Sequence, residues 1–233
     1  MSLIIPMVIF MQQRMAEAGD PDVAKEMQAY MKTDQPFYGV KTPQRQAIFK
    51  QAREHTKVAT FTDYSRLVLW LWSGENREEQ YLAMDAAEYY KAFRTKEAFA
   101  VYEEMLLGAT HWDTVDKIAS NLIGLLVKEH REFEQKLIEW RESDNMWLRR
   151  ASLLAHLKHK DQTNLPLLEE TILMLANEDE FFIRKAIGWV LREYSKTAPD
   201  YVSEFVASYS EELSSLSKKE ALKVIQKSGV VAE

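Results

Sequence analysis

The sequence contains no cysteine among its 233 residues. This absence excludes disulfide bonds, thiolate zinc sites and a cysteine nucleophile, and it suits a reducing compartment, so we expect a cytoplasmic protein. The chain also lacks a basic excess, because its formal net charge at pH 7 is -6. A polyanion such as DNA would therefore have to bind a local basic surface rather than the protein as a whole.

Sequence features of membrane, phosphate-loop and metal-binding proteins are missing as well. The apolar run at residues 3–11 contains Pro6 and is too short to cross a membrane. There is no glycine-rich phosphate loop and no GxSxG motif. His156 and His159 lie three residues apart, but no carboxylate beside them completes a metal site. We interpret these histidines as a surface pair and predict neither a metal nor a cofactor.

Glycine and proline are scarce, with 7 and 6 residues, and the prolines fall between helical segments. Pro21 follows Asp20 and Pro43 follows Thr42, and both preceding residues are suitable helix N-caps. Apolar residues recur at helical spacing between these breaks, and no segment alternates with period two as a strand does. The sequence therefore predicts an all-α fold, and we expect residues 1–233 to form a single domain.

An internal repeat relates residues 144–151 to residues 179–186, which share the order Asp, any residue, apolar, aromatic, aliphatic, Arg, cation, Ala. The interval of about 35 residues is the size of one helix pair in a solenoid, and Trp112 lies one interval earlier. We predict a helical-repeat solenoid of stacked antiparallel helix pairs, with Arg150 and Lys185 as a row of cations along its concave groove. Alternatively, Asp144 with Arg149 and Asp179 with Arg184 only cross-link neighbouring repeats.

Residues 110–127 form a predicted helix with Thr110 as its candidate N-cap. Asp116 lies within the apolar stripe of this helix, one turn after Trp112. A carboxylate in an apolar stripe is costly unless it has a partner or a chemical task. Two interpretations stay open: Asp116 is a functional carboxylate, or it is structural and pairs with a buried arginine.

The segment FFIRKAIGWVLREY combines a core stripe with a second stripe that is both aromatic and basic. The second stripe consists of Phe182, Lys185, Trp189 and Arg192. Such interleaving suits a phosphate backbone beside an apolar sugar or base surface. The segment therefore favours a nucleic-acid partner, in spite of the acidic net charge.

Three segments, THWDTVD, SDNMWLRRA and EFFIRKAIGWVLREYSKTAPD, resemble the signature segments of the AlkD-type DNA alkylation-repair glycosylases. The resemblance extends from about Val23 to the C-terminus. It implies a fold of HEAT-like helical repeats with a concave DNA-binding groove. It also implies excision of positively charged or bulky N-alkylated purines, such as 3-methyladenine and 7-methylguanine, from duplex DNA in base excision repair.

The resemblance assigns a catalytic role to Asp116. It also implies substrate or DNA contacts, and the repeat pattern adds two basic positions to that set; together these residues are Trp112, Arg150, Trp189, Tyr30, Lys41, Thr42, Arg45, Arg149 and Lys185. The sequence departs from the family pattern at His111, where an aromatic residue is expected, and at Gln46, where an arginine is expected. Both departures concern DNA contacts rather than the catalytic carboxylate.

The chemistry expected from these residues is hydrolysis of the N-glycosidic bond. No lysine is placed as a Schiff-base nucleophile, so we expect a monofunctional glycosylase that acts on duplex DNA as a monomer, away from membranes. The alternative from a different class is a non-catalytic helical-repeat scaffold that binds DNA or protein. That alternative predicts a paired, buried Asp116 and covered side chains for Trp112 and Trp189.

Overall fold

A computed structural model describes residues 4–227 of the chain. These residues form helices and connecting loops without any strand, which confirms the all-α prediction. Their contacts divide the chain into two compact units, Met1–Met105 and Leu106–Glu233, so a single domain stays a prediction. Within the described part of the chain, no helix is long and apolar enough to span a membrane.

The helices of each unit follow one another with short connections. The first unit contains α1 (Ile4–Ala18), α2 (Pro21–Met31), α3 (Thr42–His55), α4 (Phe61–Trp72), α5 (Arg77–Tyr89), the 3-10 helix Lys91–Phe93 and most of α6 (Ala98–Leu107). The second unit continues with α7 (Trp112–Lys117), the π-helical segment Ile118–Ile123, α8 (Gly124–Glu129), the 3-10 helix Arg131–Phe133, α9 (Glu134–Arg141), α10 (Met146–Leu154), the 3-10 helices Ala155–Lys158 and Lys160–Gln162, α11 (Leu165–Leu175), α12 (Phe181–Tyr194), α13 (Pro199–Ser208), α14 (Ser215–Ala221) and α15 (Lys223–Lys227).

The predicted N-caps are partly confirmed. The Asp20 side chain accepts hydrogen bonds from the backbone of Asp22 and Val23, and Pro21 is the first residue of α2. At the two other helices the cap lies one residue away from the predicted position. Lys41 caps α3 in place of Thr42, and His111 caps α7 in place of Thr110, in both cases without a side-chain bond. The beginning of the apolar run at residue 3 lies outside the described residues.

A buried glutamate fixes the loop that leads into α3. The Glu78 carboxylate accepts hydrogen bonds from the backbone N–H groups of Tyr38, Gly39 and Val40, at 2.9 to 3.0 Å. Gly39 has a φ of 82°, which a residue with a side chain rarely adopts. Because three backbone donors share one carboxylate, the loop enters α3 along a single defined path.

A π-helical segment interrupts the helix that carries Asp116. The backbone N–H of Gly124 donates to the carbonyl of Ala119, five residues back, instead of four. The hydroxyl of Ser120 donates to the carbonyl of Asp116 at 2.7 Å. Each π turn holds more residues than an α turn, so the direction of the following side chains shifts relative to the α-helical prediction. Segments of this kind are frequent at functional sites.

Gly124 ends this segment where the helix packs closely on its neighbour. A Cβ atom at Gly124 would lie 2.2 Å from the backbone oxygen of Ala155, so only glycine fits. The carbonyl of Gly124 also bonds the ring Nε2 of His159 at 2.7 Å. This contact brings the 3-10 helix Ala155–Lys158 against the helix that carries Asp116.

The histidine pair predicted at the surface is buried. His156 and His159 are 3% and 0% exposed, and their rings meet edge to face at 5.1 Å. Burial, with a smaller contribution from the positive charge of Arg131, lowers the pKa of His156 to about 3 and that of His159 to about 4. The surrounding leucines in ASLLAHLKH were the sequence signal for burial. Both rings are therefore neutral parts of the core.

This buried pair predicts a stability that falls in acid. An unfolded histidine takes up a proton near pH 6.5, whereas the folded pair resists protonation, so below that pH the unfolded chain binds more protons. At about pH 5 we expect the free energy of unfolding to drop by up to about 2 kcal/mol for each histidine. Denaturant unfolding at neutral pH and at about pH 5 measures this loss of unfolding free energy.

The matched comparison uses His156→Leu and, at an exposed histidine, His55→Gln. His156→Leu should reduce the acid sensitivity, whereas His55→Gln should retain that of the wild type. An unchanged pH dependence in His156→Leu would contradict the prediction.

Candidate functional site

The second unit contains a cavity of about 470 Å3 that brings together residues predicted from separate segments. Helix α7 and the π-helical segment form one wall, α12 forms another, and the 3-10 helix Ala155–Lys158 contributes between them. The lining residues are Trp112, Asp113, Asp116, Lys117, Ser120, Asn121, Leu157, Lys158, Trp189 and Glu193. Three of the residues that the resemblance assigns to the site, Trp112, Asp116 and Trp189, therefore line one cavity, whereas Arg150 does not line it.

Asp116 is held by a two-point ion pair with Arg150. The guanidinium Nε donates to Oδ1 at 2.7 Å, and Nη2 donates to Oδ2 at 2.8 Å. The third guanidinium nitrogen, Nη1, donates to the backbone oxygen of Phe182. The Arg150 side chain is only 4% exposed, whereas that of Asp116 is 15% exposed and reaches the cavity. The arginine thus lies behind the carboxylate and fixes its orientation.

The ionisation of Asp116 reflects two opposing influences. Burial raises the pKa of its carboxyl group above the ordinary value for aspartate, and the nearby charge of Asp113 acts in the same direction. The hydrogen bonds and charge of Arg150 oppose that rise. A carboxylate has about four lone-pair positions, and Arg150 occupies two of them. The others can bind a water molecule or face a developing positive charge.

The two tryptophans of the cavity are half-buried rather than covered. Trp112 is the first residue of α7, and Trp189 lies in the middle of α12. Ser120 and Asn121 reach the same cavity from the π-helical segment, and their side chains are hydrogen-bonded to each other at 2.9 Å. The cavity therefore presents aromatic faces and polar groups beside one carboxylate.

The basic row predicted along the repeats is largely matched by acids. Arg149 makes a two-point ion pair with Glu178 and also bonds the backbone oxygens of Ser143 and Asp144. Arg149 thus cross-links repeats as the alternative predicted, but its acidic partner is Glu178 and not Asp144. Arg150 and Lys185 are paired too, the latter with Glu220 at 2.7 Å. Each of these three cations has an acidic partner about one repeat away, and their role in contacting DNA stays a prediction.

The first unit holds the remaining predicted DNA contacts in two different environments. Tyr30 on α2 is exposed, and so are Lys41 and Thr42 at the beginning of α3. Arg45 is instead buried, with its Nε 3.2 Å from the Asp85 carboxylate and its guanidinium over the ring of Tyr81. Arg45 is consequently unsuited to a direct phosphate contact without movement, since burial and pairing occupy it.

Sequence reasoning did not identify the acids that organise these cations. Glu178 and Glu220 lie near the ends of different repeats, and only folding brings them to Arg149 and Lys185. One local signal existed for Glu220, because it is the single acid in SKKEALKVIQK and lies three residues before Lys223. Among residues 4–227, no group of three or more potential ligands could hold a metal ion.

The second unit is thus all-helical and contains a cavity lined by two tryptophans and by a carboxylate that an arginine fixes. The sequence profile of the DNA alkylation repair enzyme family matches residues 11–225, so the chain belongs to this family. This result confirms the resemblance found in the three sequence segments.

A solved structure supports the same assignment. It is described as a predicted DNA alkylation repair enzyme from Enterococcus faecalis and is 32% identical to this chain. The match covers 88% of this chain and 95% of the other, with a TM-score of 0.79. No curated protein sequence matches significantly.

Proposed function

We propose that this protein is a monofunctional DNA glycosylase that excises positively charged or bulky N-alkylated purines from duplex DNA. The observation that carries the proposal is the position of Asp116 in the cavity. Its carboxylate is fixed by Arg150 and lies with the half-buried Trp112 and Trp189. Membership of the DNA alkylation repair family supports the same reading.

The carboxylates of the cavity lining are suited to contact with a cationic lesion. Three carboxylates, those of Asp113, Asp116 and Glu193, line the cavity together with the two ammonium groups of Lys117 and Lys158. Arg150 offsets the charge of Asp116 from behind, so the site as a whole carries no net charge, but the carboxylate oxygens that reach the cavity can interact with a positive group at short range. N-alkylation at the positions named above gives the purine such a charge, and it also makes the base a good leaving group.

The expected mechanism centres on the sugar cation that forms as the glycosidic bond lengthens. Asp116 would stabilise this cation electrostatically and orient a water molecule for attack on the sugar carbon. As the glycosidic bond breaks, the base departs with the electrons of that bond, which neutralise its positive charge. The water then forms a bond to the sugar carbon and gives its proton to the Asp116 carboxylate. Trp112 and Trp189 would pack on the deoxyribose, since an aromatic face favours a cation.

The geometry agrees with one prediction of the scaffold alternative and disagrees with another. It predicted that Asp116 is paired, and Arg150 does pair with it. It also predicted covered tryptophans, whereas both are half-buried in the cavity wall. The accessible cavity favours the enzyme over the scaffold.

Release of 7-methylguanine from methylated duplex DNA tests the proposal. Purified protein should release the free base under single-turnover conditions, and 3-methyladenine should be released as well. The DNA strands should stay intact until alkaline treatment, because a monofunctional enzyme leaves an abasic site. Binding of the duplex without release of either base would instead support the scaffold.

A further inference from the structure

One buried acid in the second unit gathers three cations. Glu220 on α14 lies 2.7 Å from Lys185 through Oε1 and 2.7 Å from Arg192 through Oε2. Lys223, at the beginning of α15, also bonds Oε1. We call these four residues, Glu220, Lys185, Arg192 and Lys223, the Glu220 cluster.

The cluster has an anion inside and cations outside. The Glu220 side chain is 4% exposed, whereas the side chains of Lys185, Arg192 and Lys223 are between 27% and 42% exposed. Burial opposes the charged form of Glu220, but hydrogen bonds from Lys185 and Lys223 outweigh it and lower its pKa to about 2. The group is therefore ionised at neutral pH, and one negative charge offsets one of three positive charges.

This arrangement differs from the other ion pairs of the second unit. Arg149 and Arg150 each face one carboxylate, so those pairs leave no excess charge. The Glu220 cluster keeps an excess of two positive charges on its solvent side. Two of its cations, Lys185 and Arg192, belong to the predicted basic stripe on α12. The excess positive charge of the cluster can attract a phosphate.

The cluster is also fixed in position relative to Trp189, which lines the cavity from α12. Lys185 and Arg192 lie one turn before and one turn after Trp189 on α12. A Cβ atom at Gly188 would lie 2.5 Å from the Cβ of Glu220, so α12 and α14 pack closely at this point. Glu220 thus holds cations on both sides of a residue that lines the cavity.

We propose that the Glu220 cluster is a subsite that binds one backbone phosphate of duplex DNA. Glu220 is a positioning residue of this subsite, and Lys223 is a phosphate contact that the sequence did not predict. This inference rests on the proposed function, because it presumes a DNA duplex at the cavity. The three cations would bind the phosphate oxygens from the solvent side while Glu220 keeps them converged.

Lys223→Gln tests the subsite through the salt dependence of DNA binding. Each phosphate contact contributes about 0.9 to the slope of log affinity against log salt concentration, because bound counterions are released. Lys223→Gln should therefore lower the slope for an undamaged duplex by about 0.9. Lys136→Gln is the matched control, since Lys136 also pairs with a glutamate three residues away and is similarly exposed. The control should retain the wild-type slope.

The outcomes separate this inference from the proposed function. If the wild type binds DNA and releases 7-methylguanine, but Lys223→Gln retains the wild-type slope, the subsite is wrong and the glycosylase stands. If the wild type does not bind DNA, both are wrong. Inorganic phosphate, titrated at constant ionic strength, provides a second arm. A rise in wild-type melting temperature that Lys223→Gln lacks, with an unchanged DNA slope, would assign the cluster to a free phosphate ion and overturn the proposal.

Discussion

Asp116→Asn should lower the rate of 7-methylguanine release by roughly a hundredfold or more, the usual effect of losing one well-placed electrostatic group. Asparagine keeps the size of the side chain but removes the negative charge that faces the sugar cation. Affinity for undamaged duplex should be retained or slightly raised, because an anion near the phosphate backbone is lost. Single-turnover release with saturating protein measures the effect independently of affinity.

The same variant should be less stable than the wild type. From the sequence alone, a lone buried carboxylate predicts unchanged or increased stability on conversion to asparagine. The ion pair reverses that expectation, because Arg150 is only 4% exposed and would lose its counter-charge. A drop in melting temperature is therefore compatible with a catalytic Asp116, and the rate has to be measured on folded protein.

Asp85→Asn is the matched control for this experiment. Asp85 also pairs with a buried arginine, Arg45, and its side chain is 12% exposed against 15% for Asp116. It does not line the cavity. Asp85→Asn should lower the melting temperature and leave the release rate from bound DNA unchanged. If Asp116→Asn is folded and as active as the wild type, the catalytic assignment is wrong.

Substitution of Arg150 should also have a large effect, both on the stability of the protein and on the rate of 7-methylguanine release. Arg150→Met removes one partner of a buried ion pair and should reduce the free energy of unfolding by about 3–5 kcal/mol. It leaves Asp116 without its counter-charge and the Phe182 carbonyl without its donor. Thermal and denaturant unfolding of the purified variant measure the loss.

Arg150→Lys separates positioning from charge. Lysine retains the positive charge but cannot reproduce the two parallel bonds of a guanidinium. We expect the variant to fold and to release 7-methylguanine roughly ten- to a hundredfold more slowly, because the carboxylate is no longer held at two points. Arg141→Lys, at a buried arginine that pairs with Glu170, should leave the rate unchanged. An Arg150→Lys variant with the wild-type rate would limit Arg150 to a structural role.

The residues that define the candidate site were largely predictable from the sequence. Helical periodicity placed Asp116 one turn after Trp112, and both do line one cavity. The aromatic and basic stripe on α12 likewise identified Trp189 and its neighbouring cations. These positions could be inferred because they depend on spacing within a single helix, which local sequence determines; their roles stay predictions.

The sequence by itself thus determined the helical fold class, the family and three of the residues that line the cavity, Trp112, Asp116 and Trp189. Only the tertiary structure decided how their charges are matched. Arg150 lies behind Asp116, Glu178 engages Arg149, and Glu220 gathers three cations. The pairs Arg150–Asp116, Arg149–Glu178 and Lys185–Glu220 join residues about one repeat apart, and the same packing shifts the pKa values of Asp116 and Glu220. A pattern along the chain reports which groups carry charge, but the balance between desolvation and pairing exists only once the repeats pack together.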